Sequence, residues 1–235
     1  MFFQRKCTLS TLVLGLAAVF LLAPGCGGGG GSDPGPDFGT NDPEVVAAMG
    51  DSITFGLYDI GVDSCSESYR GVAGFCPRLQ GLSGKIVVNE GVCGATSGDG
   101  AARVQDVLQS RKPGVLLILY GANDLFYGAN EVTRNLRKMI GAAISNKTVP
   151  VVGTLTPAVG EHQGWESFIE ITNDQIRHLC DDLGVVYADH YQAFMKDPGY
   201  EISPYALLSA DGLHPNASGF DVMANTWNSA LKRVY

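Results

Sequence analysis

The chain has 235 residues, 45% of them hydrophobic and 17% charged, with 31 glycines and a formal net charge of -8. That size and apolar content suit one globular domain of about 100–200 residues and exclude a disordered or fibrous chain. An acidic surface repels phosphate backbones and anionic head groups, so nucleic-acid binding and membrane attachment through a basic patch are excluded as well.

Residues 1–25 open with Arg5 and Lys6, run apolar from Thr11 to Leu22, and end in Ala23-Pro24-Gly25 before Cys26. This is the pattern of an export signal, and its apolar run is shorter than the roughly 20 residues a membrane-spanning helix needs. The end of the run resembles the lipobox of bacterial lipoproteins, in which a cysteine after a small residue is lipidated and becomes the first residue of the mature chain. Ala23 and Pro24 stand where such sequences usually carry Leu and a small residue. The resemblance implies lipidation at Cys26 and a protein on the periplasmic or outer side of a bacterial membrane, held there by its lipid alone. Losing residues 1–25 removes Arg5 and Lys6 and leaves 14 basic against 24 acidic residues. Residues 26–43, with the run Gly27–Gly31 followed by Gly, Pro and small polar residues, have the composition of a flexible tether, and the folded domain is expected over 44–235.

Within the domain, short apolar runs alternate with helical patterns, the layout of an α/β fold with a mostly parallel sheet. Five strands are expected, at Val45–Met49, Ile86–Asn89, Val115–Tyr120, Val151–Leu155 and Val185–Ala188. The third is apolar throughout and belongs in the middle of the sheet, covered on both faces. Helical spacing of apolar residues predicts helices at Gly98–Arg111, Glu131–Ser145, Trp165–Leu183 and Ser218–Val234, with Pro113-Gly114, Pro150 and Gly184 marking joints to strands.

Four cysteines fall in the domain, and export places them in an oxidising compartment. Cys65 and Cys76 close a short loop and are the expected disulfide, although four cysteines allow three full pairings. Cys93 and Cys180 read as small buried apolar residues. There is no Cys-x-x-Cys and no neighbouring histidine pair, so no metal site is expected.

Open parallel sheets carry their reactive groups just beyond the carboxyl ends of the strands. There the sequence places Gly50-Asp51-Ser52-Ile53-Thr54, Asn89–Thr96 with Gly94 inside it, and Gly121-Ala122-Asn123-Asp124; near the end of the chain comes Asp211-Gly212-Leu213-His214-Pro215. A serine hydroxyl becomes a useful nucleophile only beside a base, and that base needs a carboxylate to fix its tautomer and stabilise its charged form. Ser52, His214 and Asp211 are the candidates for these three roles. An oxyanion formed by attack on a carbonyl needs fixed donors, which the Ser52 and Gly94 backbone N–H groups and the Asn123 amide supply. His162, His178 and His190 are expected to be structural, His178 on an exposed helix face. Asp124 is expected to bond backbone near the nucleophile, and Asp51 to lack reach to a histidine already paired with Asp211. Trp165, Phe168, Tyr58 and Phe126 fit an acyl pocket and an ordinary packing role equally well.

The ordered set Gly-Asp-Ser, Gly94, Gly-x-Asn-Asp and Asp-x-x-His resembles the SGNH hydrolases, also called GDSL esterases and lipases, over nearly the whole domain. Ile53-Thr54 replaces the Leu of the second family name. The resemblance implies a three-layer α/β/α, flavodoxin-like sandwich with sheet order 2-1-3-4-5 and ester hydrolysis through an acyl-enzyme without a cofactor. It also implies the roles just given to Ser52, Gly94, Asn123, Asp211 and His214. A monomer acting on a small-molecule or carbohydrate ester is expected, with short acyl groups favoured because no long apolar lid segment is evident. An envelope acyltransferase or lysophospholipase with the same residues, and a catalytically silent glycan-binding lipoprotein, are the alternatives.

Overall fold

The computed structural model describes residues Gly35–Tyr235; the stretches expected to be an export signal, a lipidation site at Cys26 and the first part of a tether lie outside the described residues. In chain order the elements are β1 (Asp42–Gly50), α1 (Ser52–Phe55), α2 (Phe75–Ser83), β2 (Ile86–Gly91), α3 (Ser97–Arg111), β3 (Pro113–Leu119), α4 (Ala129–Ser145), β4 (Val149–Gly153), α5 (Glu166–Leu183), β5 (Val186–Ala188), α6 (His190–Met195), α7 (Pro198–Ile202) and α8 (Ala217–Leu231). The five strands form one parallel sheet in the order β2-β1-β3-β4-β5, as the family resemblance implies.

Alternation along the strands divides the core in two. Val46, Ala48, Val115, Leu117, Leu119 and Val151 face α2 and α8, packing with Phe75, Phe220 and Trp227. Ala47, Met49, Leu116, Ile118 and Val152 face α3, α4 and α5, packing with Val104, Leu136, Met139 and Ile176. A strand with helices on both faces has no polar side, which explains the unbroken apolar sequence of β3. The long helices are bounded as their ends suggest. Thr96 and Asp99 form a reciprocal capping box on α3, and Gly184, at a φ of 65°, ends α5.

Three expectations need correction. Residues Phe38–Pro43 are not tether: the Phe38 and Tyr235 rings lie 6.0 Å apart, Asn41 donates to the Asn146 carbonyl at 2.6 Å, and β1 already begins at Asp42. A single aromatic ring and one amide suffice to fasten a Gly/Pro-rich segment whose composition alone cannot pack a core. Second, α2 is a helix beyond the four expected; Phe75, Cys76 and Leu79 bury its inner face, and Arg78 reaches Asp221 of α8. Third, Cys65 pairs with Cys93 across 28 residues, with Cα atoms 6.2 Å apart, and not with Cys76. Cys76 points into the core from α2, whereas the loop carrying Cys65 folds back over the end of β2. Cys180 is buried and free, as expected. No helix among the described residues is long and apolar enough to cross a membrane.

The connection from β1 to α1 sets up everything that follows. A Cβ on Gly91, the last residue of β2, would lie 2.3 Å from the Phe55 nitrogen, and one on Gly50 would lie 2.6 Å from the Leu119 carbonyl oxygen. Backbone cannot yield like a side-chain tip, so only glycine lets α1 lie against the strand ends. We expect Gly91→Ala to cost about 2–4 kcal/mol, read as a lower urea midpoint at unchanged m-value.

His190 begins α6 with its ring fully buried against Trp227 at 4.7 Å between centroids, and neither ring nitrogen has a hydrogen-bond partner among the described residues. Burial pushes its pKa down to about 3. Above the ordinary value near 6.5 the ring is neutral folded or unfolded; below it the unfolded chain takes a proton that the folded chain refuses. Stability should therefore fall as pH drops from about 6.5 toward 3, at up to ~1.4 kcal/mol per pH unit from this group. His190→Phe should flatten that slope by about one proton in urea melts between pH 6 and 4.

Candidate active site

Ser52 is the first residue of the one-turn helix α1, immediately beyond β1. Asp51 caps that turn, its Oδ1 accepting the Ile53 N–H at 2.9 Å, which fixes the backbone and presents the serine side chain at the sheet edge. Ser52 Oγ lies 2.9 Å from His214 Nε2, and His214 Nδ1 lies 2.6 Å from Asp211 Oδ2. The other Asp211 oxygen accepts the Leu213 and His214 N–H groups at 3.0 and 3.1 Å. Burial alone would raise the Asp211 pKa, but the hydrogen bonds from the His214 ring and from these two amides, with the attraction of the ring, hold it below the usual carboxylate value. An ionised carboxylate can only accept, so His214 Nδ1 carries a proton and Nε2 is left to accept the Ser52 hydroxyl.

The turn carrying Asp211 and His214 is fastened from several sides. Ser209 donates from its backbone N–H and its hydroxyl to the His214 carbonyl at 2.8 and 2.9 Å, and Val159 donates to the Gly212 carbonyl at 2.8 Å. Asn216 caps α8 by accepting the Gly219 N–H at 3.1 Å and shares its two amide hydrogens among three carbonyls of the preceding loop, Tyr205, Ala206 and Leu208. His162 donates from Nδ1 to the Asp211 carbonyl at 2.8 Å and packs edge-on against Trp165. Trp165 and Phe168 pack with Leu155, Ile169 and Leu213, supporting the turn from beneath. Tyr58 meets the His214 ring edge-on at 5.1 Å.

The second and third blocks meet Ser52 through backbone. Val92 donates to the Gly50 carbonyl at 2.9 Å, bringing the β2–α3 connection against the serine turn. Gly94 is exposed with a φ of 74°, and among the described residues its N–H has no partner; the same holds for the Ser52 N–H. Asn123 donates from Nδ2 to the Ala95 carbonyl at 3.1 Å, its remaining hydrogen facing Asp51 Oδ2 at a longer 3.4 Å. Its amide is thereby oriented between the residue before Ser52 and the residue after Gly94. Three N–H groups, free or weakly engaged, beside a buried serine form a ready donor site for a negatively charged oxygen.

Several neighbours carry no signal in sequence. Asp51 is buried, and burial, opposed by the Ile53 N–H and reinforced by the nearby Asp124 carboxylate, pushes its pKa up to about 7. Tyr58 and His162 touch the His214–Asp211 pair from loops whose paths composition does not encode. Of the remaining histidines, His178 is exposed on α5 and His190 is buried behind the sheet, so neither reaches Ser52 as a base. Phe126, two residues past the turn bearing Asn123, is 93% exposed. Among the described residues, no group of three or more His, Cys, Asp or Glu side chains is placed to hold a metal ion.

Comparison with known proteins follows the same lines. The model of the GDSL-like Lipase/Acylhydrolase family matches residues 48–222. Similar solved structures include a lipase/acylhydrolase from Enterococcus faecalis, 23% identical, covering 80% of this chain and 95% of that one at a TM-score of 0.66. A member of the lipolytic protein G-D-S-L family from Veillonella parvula is 19% identical, with 80% and 98% covered and a TM-score of 0.65. A mutant of an acetyl-xylooligosaccharide esterase from Geobacillus Stearmophilus is 20% identical, with 81% and 95% covered and a TM-score of 0.65. No curated protein matches the sequence.

Asp124 is buried one residue past Asn123, accepting the Ser97 N–H at 2.9 Å and the Ser97 hydroxyl at 2.7 Å, while Asn135 donates to that hydroxyl at 3.0 Å. It ties the turn bearing Asn123 to the start of α3. Asp124→Ala would strand the Ser97 N–H and hydroxyl out of reach of water, and we expect a loss of about 2–4 kcal/mol in urea-measured stability.

Proposed function

The chain belongs to the GDSL-like lipase/acylhydrolase family, and from that premise we propose that it is a serine esterase that hydrolyses carboxylic esters through an acyl-enzyme. The observation that carries the reading is the unbroken sequence Asp211–His214–Ser52, with contacts of 2.6 and 2.9 Å. Ser52 Oγ attacks the ester carbonyl while its proton passes to His214 Nε2, and Asp211 stabilises the imidazolium so formed. The carbonyl oxygen, now negative, is met by the Ser52 and Gly94 N–H groups and by the Asn123 amide, which exchanges its long contact with Asp51 for a short one with the oxyanion. Collapse expels the alcohol with the proton from Nε2. Water, deprotonated by the same nitrogen, attacks the acyl-enzyme and releases the acid and Ser52.

Short acyl chains, including acetyl groups on carbohydrate, are the favoured substrates. The described loops around the site contain no long apolar segment to sheathe a fatty chain, and exposed aromatic rings, Phe126 at 93% and Tyr127 at 66%, follow the turn bearing Asn123. Aromatic faces suit the apolar faces of sugar rings. The solved acetyl-xylooligosaccharide esterase is a relative in fold with that kind of substrate in its name. We further propose that the domain works outside the cytoplasm, lipidated at Cys26. The signal-type amino terminus supports this, and so does the Cys65–Cys93 disulfide, a bond characteristic of oxidising compartments.

Ser52→Ala should abolish turnover of p-nitrophenyl acetate with the circular dichroism spectrum unchanged; wild-type rates in that variant would end the proposal. Asp211→Asn should lower kcat by about 10⁴-fold, because an amide at this position also offers a donor and permits the wrong tautomer of His214. On an ester series from acetyl to palmitoyl, kcat/KM should peak at the short end.

A further inference from the structure

The loop between α1 and α2 wraps back over the end of β2, and it is fastened at both its base and its tip. At the base, Gly74 donates to Asp59 Oδ2 at 2.6 Å, and Arg78 pairs with the same carboxylate. Arg70 donates to the Gly91 carbonyl and lies over the Phe55 ring at 5.4 Å. The tip is joined covalently to the β2–α3 connection through Cys65–Cys93, and Cys93 packs against Phe55, Val62 and Ala73.

Cys93 is the residue before Gly94, and the turn they occupy is of a kind that can flip. Ala95 donates to the Val92 carbonyl at 3.0 Å, closing a β-turn with Cys93 and Gly94 at its centre, and the Gly94 φ of 74° makes it type II. Type I and type II turns differ chiefly by a half-rotation of the central peptide, here Cys93–Gly94, and that rotation reverses the direction of the Gly94 N–H. Among the described residues, no hydrogen bond engages the Gly94 N–H or the Cys93 carbonyl. The flanking bonds hold the turn closed in either form. With no hydrogen bond of its own, the Cys93–Gly94 peptide is restrained through its neighbours, and Cys93 on its amino side is tied to the loop by the disulfide.

Resting on the esterase reading above, we propose that the Cys65–Cys93 disulfide is a positioning element for catalysis: it holds the Cys93–Gly94 peptide so that the Gly94 N–H stays directed at the oxyanion. Without the bond, the turn goes over mainly to the other form, and the donor stays in place in only about 1–10% of molecules. Complete loss of one oxyanion donor costs on the order of 10²–10³ in rate, so retention in that minor fraction should cost roughly 10–100-fold.

The test compares wild type with Cys65→Ser/Cys93→Ser, assayed with p-nitrophenyl acetate well below the unfolding midpoint of each. The expected result is a kcat reduced roughly 10–100-fold with KM within about threefold. Phenylboronic acid, which bonds Ser52 Oγ and places a boronate hydroxyl where the oxyanion forms, should bind more weakly by the same factor. A purely structural role for the disulfide would lower the midpoint without moving these two quantities together. Reduction offers the same test without mutation. Tris(2-carboxyethyl)phosphine takes the oxygen of one water to become the phosphine oxide, and the two sulfurs take up its protons as thiols. Reduced wild type should match the double variant and recover on reoxidation. The proposal is overturned if the variant keeps kcat and boronate affinity within twofold of wild type, or if kcat falls while boronate affinity does not. An inactive Ser52→Ala beside a fully active double variant would sink this inference alone, whereas an active Ser52→Ala would sink the esterase reading beneath it.

Discussion

The turn bearing Ser52 lies so close on the sheet that glycine is required on both strands beneath it. Gly50 ends β1 against the Thr54 side chain of that turn and the neighbouring Leu119 carbonyl of β3, and Gly91 ends β2 against the backbone of Phe55. The contact decides where the nucleophile stands, because α1 is one turn long and has little helical stability of its own. It gains position from backbone contact with β2 and from the Asp51 cap. The Val92 N–H bonded to the Gly50 carbonyl then brings the Gly94 turn to the same place, and Asn123 joins it through the Ala95 carbonyl. Three strand ends thus converge on one serine through main-chain contacts that side-chain substitutions elsewhere would barely disturb.

The carboxylates around this serine divide by environment. Asp211, part-exposed and supplied with three donors, stays ionised and fixes the histidine tautomer. Asp51 lies deeper, where burial pushes its pKa up to about 7, and its oxygens face the Ile53 N–H and the Asn123 amide. Asp124 accepts from Ser97 and stiffens the turn behind Asn123. One carboxylate supports the base and the other two support the scaffold, and their hydrogen-bond partners account for the division.

Much of this is legible in the sequence. Five apolar runs marked the strands, and Ser52, Gly94, Asn123, Asp211 and His214 stood out as polar or glycine residues where a parallel sheet opens. The structure gathers those segments at one edge of the sheet. Legibility ended where long-range packing decides. Cys65 has Cys76 as its nearer neighbour in sequence, yet Cys93 is its neighbour in space, because the loop folds back over β2 while Cys76 turns into the core on α2. Pro77 and Gly81 hid α2, whose formation depends on Phe75 and Leu79 being buried beneath α8. Phe38 and Asn41 looked like tether because their partners, Tyr235 and Asn146, lie far along the chain.

The loop from α1 to α2 connects these themes, since it lays Tyr58 against His214 and reaches Gly94 through Cys93. Catalytic geometry would then depend on a connecting loop whose regular structure is one short 3-10 turn, Glu67–Tyr69. The most direct test of the whole account is a crystal structure of the protein after reaction with a p-nitrophenyl alkylphosphonate. The account predicts phosphorus bonded to Ser52 Oγ, with the phosphoryl oxygen about 2.7–3.1 Å from both the Gly94 nitrogen and Asn123 Nδ2. Phosphonylation at another residue, or a phosphoryl oxygen turned away from both donors, would contradict it.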